Sequence, residues 1–373
     1  MEGLGLTMQI IKGEVEKKDI AYIHKKAKNE FLKLAGKEIL LIGANGFLGY
    51  YFLKSFLEWN EKYPAKAIRL TALSTFTKGI PPWLKEARSE GKLTVLKKDI
   101  TKYKISSKQR FDYIIHGATI ASPTYYRLHP IETINANVQG LYNLLTYLIA
   151  RKSSQYPVTG LLFFSTSEIY GNPDPRFIPT DETYNGNVSC TGPRACYDES
   201  KRFCETLCVN YSQVHNLPIK VARPFNNYGP GLRINDKRVI PDFAMNILNN
   251  KDIIMHSDGS PKRTFCYVAD AIVGYIKILV LGKQGEAYNI GIETPEISMK
   301  QLALKMQEIG KEHFGYTGDV ITQKSADKEY LTDNPQRRCP KIEKAKKDLH
   351  YNPEIAVDQG LYNSLQWYKE NNL

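Results

Sequence analysis

Long apolar runs are missing from this chain: nowhere do roughly 18 uncharged apolar residues follow one another, the minimum for a helix that crosses a bilayer. The first residues, Met1 to Lys12, also lack the basic start, apolar centre and small-residue cleavage site of a secretory leader. A soluble, cytoplasmic protein with no membrane partner is therefore expected. Cysteine is sparse and unpatterned. The six (Cys190, Cys196, Cys204, Cys208, Cys266 and Cys339) include no Cys-x-x-Cys spacing, which argues against the common zinc and dithiol redox motifs. Cys204 and Cys208 stand one helical turn apart, but no histidine lies at a matching offset, so both read as small helix residues and no metal site is expected. Reduced thiols suit a cytosolic compartment. Internal repeats and low-complexity tracts are absent too.

What the chain has in excess is positive charge, a formal net +12. Such a balance raises the question of nucleic acid. The basic residues are interleaved with acids, as from Lys300 to Glu312 and from Lys341 to Asp348, and form no basic-aromatic stripe. They read as a solvated surface with no nucleic-acid partner, and the balance favours a small anionic substrate such as a nucleotide diphosphate. With 373 residues and 42% hydrophobic content, the chain buries a full core as one large or two interlocked domains.

Apolar periodicity divides it. Residues 1–36 are charged and helix-prone, with apolar positions at helical spacing from Ile20 to Leu34, and read as an N-terminal helical extension. From Glu38 the pattern alternates. Strands are predicted at Glu38 to Ile42, Ala67 to Leu73, Leu93 to Leu96, Phe111 to His116, Val158 to Ser165 and Ile219 to Arg223, with helices over Phe47 to Trp59, Pro130 to Arg151 and Asp198 to His215. Such alternation implies an α/β protein with a Rossmann-type, doubly wound parallel sheet, mainly in residues 37–225. Short strands (Asp252 to His256, Thr264 to Val268, Glu286 to Ile290) among loops suggest that residues 226–373 form mainly a smaller C-terminal substrate-binding lobe, interleaved with the first.

Gly43-Ala-Asn-Gly46-Phe-Leu-Gly49 follows a buried strand and opens a helix, the setting a dinucleotide fingerprint requires. The first glycine permits a tight turn, the second admits a pyrophosphate, and the third allows the helix to pack on the sheet. Asn45, Phe47 and Leu48 complete this cofactor turn. The end of the second strand, Ala72-Leu-Ser-Thr-Phe-Thr-Lys78, lacks the acid that would bind an adenosine ribose. NAD is favoured, with Ser74 as the ribose contact, while Lys78 leaves NADP open. Asp99 and Ile100, after the third strand, are similar to the pair that usually contacts the adenine in such dinucleotide folds, although Asp99 equally reads as a turn cap. Ala118 and Thr119, after the fourth strand, lie where cofactor and substrate should meet, and Arg223 is added to the cofactor set. Tyr197 and Lys201 stand four positions apart, on one helical face, so the ammonium is expected close enough to the phenol to favour its ionised form.

The glycine spacing resembles the extended short-chain dehydrogenases/reductases. Ala121-Ser-Pro-Thr-Tyr-Tyr, Ser165-Thr-Ser-Glu-Ile-Tyr-Gly171, Gly192-Pro-Arg-Ala-Cys-Tyr-Asp-Glu-Ser-Lys-Arg202, Asn235-Asp-Lys-Arg-Val-Ile-Pro241 and Asn334-Pro-Gln-Arg-Arg-Cys-Pro340 carry the likeness further. Over roughly residues 37–370 the chain resembles the nucleotide-sugar epimerases, dehydratases and decarboxylases, above all the branch that decarboxylates UDP-glucuronate. The resemblance implies that Thr166, Tyr197 and Lys201 oxidise the sugar at C4, with Tyr197 and Lys201 also contacting NAD, and that Glu168 and Arg263 lie near the reacting ring and carboxyl. Ser167 stands where one class of 4,6-dehydratases has an acid. A decarboxylase giving a UDP-pentose or its 4-keto form is expected, with dehydratase or 4-epimerase chemistry, or a catalytically silent nucleotide binder, as alternatives. Asn226, Arg233, Arg238 and Arg263 suit the UDP portion of the substrate. A homodimer is implied, formed through the helices after His129 and Asp198.

Overall fold

The computed structural model describes residues 13–371 except 326, 328 and 330. Two helices come first, α1 (Glu14–Lys26) and α2 (Lys28–Leu34). The alternating part follows: β1 (Glu38–Ile42), α3 (Phe47–Lys62), β2 (Arg69–Ser74), α4 (Pro82–Ser89), β3 (Thr94–Lys97), β4 (Tyr113–His116), the short α5 (Pro123–Leu128), α6 (Pro130–Lys152), β5 (Gly160–Phe164), α7 (Ala195–His215) and β6 (Ile219–Pro224). Beyond it run β7 (Asn227–Tyr228), α8 (Val239–Leu248), β8 (Ile253–Met255), β9 (Lys262–Arg263), β10 (Cys266–Tyr267), α9 (Val268–Leu281), β11 (Ala287–Ile290), β12 (Ile297–Ser298), α10 (Met299–Phe314), β13 (Val320–Thr322), β14 (Arg337–Arg338), α11 (Glu343–Leu349) and α12 (Val357–Glu370).

Seven strands form one parallel sheet in the order β11-β6-β5-β4-β1-β2-β3. The winding reverses between β1 and β4, which opens a crevice at the carboxyl ends of those strands. Helices cover both faces, so the central strands are continuously apolar rather than alternating. Ile39 and Leu41 of β1 join one core layer with Phe52 and Phe56 of α3 and Ile272 and Tyr275 of α9, while Leu40 and Ile42 join the other with Leu144 of α6 and Leu207 of α7. Cys204 and Cys208 fill that second layer as free, buried thiols.

Two features bear on the organisation of the chain. The segment expected as a short strand of the smaller lobe, Glu286 to Ile290, supplies β11, which pairs with β6 and extends the main sheet. The chain therefore returns to the first layer after leaving it. The N-terminal helices, read as an extension ahead of the domain, are part of its core: Ile20, Ile23, Ala27, Phe31 and Leu34 are buried, and the Phe31 ring stacks on Trp59 at 4.7 Å. Residues 1–12 of that extension lie outside the described residues.

Candidate active site

The glycine turn leaves β1 through Gly43, whose φ of +89° favours glycine and whose Cβ, if present, would lie 2.7 Å from the backbone of Gly117. A Cβ on Gly49 would lie 2.4 Å from the Gly43 carbonyl. The turn thus closes against the loop after β4, and α3 starts with no acid in its first turn, so its N-terminal amides and dipole favour an anion. Asn45 and Gly46 border a cavity of about 200 Å³ together with Tyr50, Trp83 and Arg233. Arg233, expected among the substrate contacts, is placed beside the glycine turn because the Gly231 to Arg233 segment packs on the Tyr50 ring.

Phe47 and Leu48 begin α3 and pack against the core. Ser74 ends β2, half-buried, with Lys78 exposed beyond it. Asp99 accepts hydrogen bonds from the Thr101 amide (2.9 Å) and hydroxyl (2.8 Å), so the turn cap is formed, while Ile100 beside it is buried. Thr119, next to Ala118, donates to Asn137 Oδ1 (2.7 Å), and Asn137 Nδ2 donates to Ser200 Oγ (2.8 Å). This fully buried Asn137 ties the loop after β4 to α6 and α7. Its only sequence signal is a polar residue on an inward helical face. Arg223 corrects an expectation: its guanidinium donates to both Glu205 oxygens, the Tyr170 hydroxyl and the Glu182 carbonyl. It locks β6 to α7 and is not offered to a cofactor.

Tyr197 and Lys201 are buried on α7, and Thr166 caps the short turn Ser167–Tyr170 through the Glu168 amide (3.2 Å). The Thr166 side chain also lies close enough to Tyr197 to lower its phenol pKa. The Tyr197 ring lies flat on Tyr126, 4.9 Å between centroids and 4° from parallel. Lys201 lies on the Tyr197 side of α7 with its ammonium tied to the backbone. Its Nζ donates to the Phe164 carbonyl (2.7 Å) and lies 5.9 Å from the Tyr197 ring centroid. Burial pushes the phenol up to about 12, opposed by the Thr166 side chain and by the charge of Arg238. Burial lowers Lys201 to about 8. Neutral His116, at the end of β4, is pushed down to about 3 by burial and by Lys201.

Glu168 organises the charge. It pairs with Arg194 and accepts from Arg338, 2.7 Å from Nη1 to Oε1 with a second contact from Nη2. Although burial raises its pKa, the fields of Arg194, Arg338 and Arg263 pull the carboxyl down to about 2, so it is ionised. Arg194 and Arg338 are the functional residues that motif reading passed over. Both lie inside quoted motifs, but Arg338 is 170 positions from its partner. Arg263 is buried, and its guanidinium donates to the Lys262 carbonyl (2.8 Å), the Gln336 carbonyl (3.2 Å) and the Pro335 carbonyl (2.5 Å). It orients the strand that presents Arg338 and is itself lowered to about 9 by burial and by Arg338. Ser167 is buried beside the cluster. Asn226 holds the Thr264 carbonyl through Nδ2 (2.8 Å), and Arg238, just ahead of α8, forms an ion pair with Asp236. No group of three or more His, Cys, Asp or Glu placed to hold a metal occurs among the described residues, and none of their helices is long and apolar enough to cross a membrane.

A doubly wound sheet with a glycine turn at its switch point and a Thr/Tyr/Lys set across the crevice defines a dinucleotide-using α/β protein. Residues 39–291 match the family described as NAD dependent epimerase/dehydratase, and the chain belongs to that family. UDP-glucuronic acid decarboxylase 3 of Arabidopsis thaliana is 34% identical over 326 residues, 87% of this chain and 86% of the relative. UDP-glucuronic acid decarboxylase 1 of Xenopus tropicalis is 31% identical over 338 residues, 90% of this chain and 72% of the relative. In fold, the epimerase Mth375 of Methanothermobacter thermautotrophicus superimposes with a TM-score of 0.77 at 24% identity, covering 93% of this chain and 96% of that one. The dTDP-glucose 4,6-dehydratase DesIV of Streptomyces venezuelae, with NAD and TYD bound, gives 0.75 at 24%, covering 90% and 98%.

Proposed function

We propose that the chain is an NAD-dependent nucleotide-sugar decarboxylase that oxidises C4 of a UDP-glucuronate-like substrate and releases its carboxylate as carbon dioxide. The observation that carries this reading is the clamp of Arg194 and Arg338 on Glu168, with Arg263 behind it. Positive charge exceeds ionised acid there, which suits a substrate carboxylate. The Arg194 and Arg338 guanidiniums hold Glu168 ionised, and Ser167 offers no acid where one class of 4,6-dehydratases has one, which favours decarboxylation over dehydration. The relatives named above, both UDP-glucuronic acid decarboxylases, support the same reading.

The cradle made by Gly43, Gly46 and Gly49 and the helix amides fits a dinucleotide, and Asn45, Ser74, Asp99, Ala118, Thr119 and Lys201 would hold it. When bound, NAD supplies the hydride acceptor for C4 and a positive charge that favours the phenolate. Tyr197 takes the C4 hydroxyl proton, and Thr166 hydrogen-bonds the developing ketone. That ketone is β to the carboxylate. Breaking the C5–C6 bond releases carbon dioxide and leaves its electron pair as an enolate, and protonation at C5 gives the 4-keto pentose, which is reduced to UDP-xylose or released. Arg338 and Arg194 orient the carboxylate, while Asn226 and Arg238 face the nucleotide half.

Exposed apolar side chains on α5, α6 and α7 (Leu128, Ile131, Ile134 and Phe203) support a homodimer through those helices, and free cysteines throughout support a cytoplasmic site of action. The decisive assay supplies UDP-glucuronate and NAD and follows gas and nucleotide sugars together. Carbon dioxide with a UDP-pentose is expected. NADH formation without carbon dioxide would overturn the decarboxylase in favour of a 4-oxidase, epimerase or dehydratase.

A further inference from the structure

We propose that Glu16, on the first helix, is a positioning residue for the dinucleotide site. Its carboxylate is buried. It accepts a hydrogen bond from the Tyr50 hydroxyl and another from Trp367 Nε1 at 2.8 Å. Tyr50 stands one turn into α3 and forms a wall of the cavity beside Asn45, Gly46 and Arg233. Its ring meets Trp83 edge-on at 5.5 Å, and a Cβ on Gly231 would lie 2.7 Å from it, so the ring sets the spacing between the glycine turn and the segment that carries Arg233. Without Glu16 the phenol loses its acceptor in a partly buried place and the ring is free to turn into the cavity. The helix that supplies this acid precedes the residues matched by the family model, which begin at 39.

Asp19, one turn on, provides an internal comparison. It accepts from the Tyr51 and Tyr267 hydroxyls, both at 2.7 Å, and these buried rings are not among the walls of the cavity. Glu16 therefore acts on the cofactor turn, whereas Asp19 joins helices and strands elsewhere.

This inference rests on NAD being the bound dinucleotide, and the experiment separates the two. The full-length parent and the variants Glu16→Ala, Tyr50→Phe, the double variant and Asp19→Ala are titrated with NAD by calorimetry, and KM for NAD and kcat are measured in turnover. Each of the first two variants should weaken NAD binding by roughly 10-fold, the scale of one charge-assisted hydrogen bond. KM for NAD should rise far more than kcat falls, and the double variant should be no weaker than the worse single one. Asp19→Ala, which removes the acceptor of two buried hydroxyls, should lower the melting temperature and keep the parent's NAD affinity. Unchanged affinity in Glu16→Ala and Tyr50→Phe would overturn the proposal, as would an equal loss in Asp19→Ala, which would reduce the effect to a loosened helix. If Glu16→Ala does not fold, Tyr50→Phe alone decides. A parent that binds no NAD would instead remove the reading on which the inference stands.

Discussion

Burial acts on Tyr197 and Lys201 in opposite senses, raising the phenol to about 12 and lowering the ammonium to about 8, so sharing a helical face does not by itself make a base. The resident charge that favours the phenolate is Arg238. Replacing it, as Arg238→Gln, should raise the phenol further and move the ascending, low-pH limb of the kcat/KM profile to higher pH, which a pH–rate series on the two proteins measures. Tyr197→Phe should reduce kcat by roughly 10²–10⁴-fold while leaving NAD binding measurable by calorimetry. Glu168→Gln leaves Arg194 and Arg338 without their counter-charge and should abolish carbon dioxide release, detected by trapping the gas. Of this chemistry the Tyr197, Lys201 and Thr166 set was readable because each lies in a compact motif. Arg338 was not, since only folding brings it to Glu168.

Among the elements, β1, β4 and β5 were legible because strands covered on both faces are unbroken apolar runs. The two-residue strands β9, β12 and β14 were not, because their pairing is set by distant partners such as Arg337 opposite Lys262 rather than by local pattern. Ile20, Ile23, Ala27, Phe31 and Leu34 showed a helical stripe, yet nothing local revealed that it fills the layer of α3 and α9. Phe31→Ala should therefore cost about 3–5 kcal/mol in urea unfolding, the scale of a buried aromatic lost to a cavity. Arg223→Gln breaks a partly buried ion pair between β6 and α7 and should cost about 1–3 kcal/mol by the same measurement. The folded fraction should keep the parent's NAD affinity, which a cofactor-binding Arg223 would not allow.

For the whole molecule, Asp19 and Glu168 are two of the groups that contribute to the pH dependence of stability, and they act in opposite senses. Burial raises Asp19 to about 7, so its contribution is fully present below about pH 4 and is lost as pH rises through 7. Glu168 is depressed to about 2, and its contribution is present above about pH 4.5 and lost as pH falls through 2. Asp19→Asn should flatten the decline in melting temperature between pH 4 and 7, as followed by circular dichroism. Association is a separate property of the surface: Ile131 is 64% exposed and Phe203 46%, and if the proposed dimer forms through them, Ile131→Glu with Phe203→Glu should lower the sedimentation coefficient to that of a monomer without loss of helix signal. The contacts of α1 with α12 have another meaning. Glu16 meets Trp367, and a Cβ on Gly13 would lie 2.8 Å from the Glu370 carboxylate, so the two ends of the described chain are neighbours in space. Residues 13 and 370 could be spliced by a short linker and the chain reopened at the exposed turn after Lys152. Such a circular permutant should keep the sheet order and the crevice intact, because those depend on which elements touch and not on which of them is synthesised first.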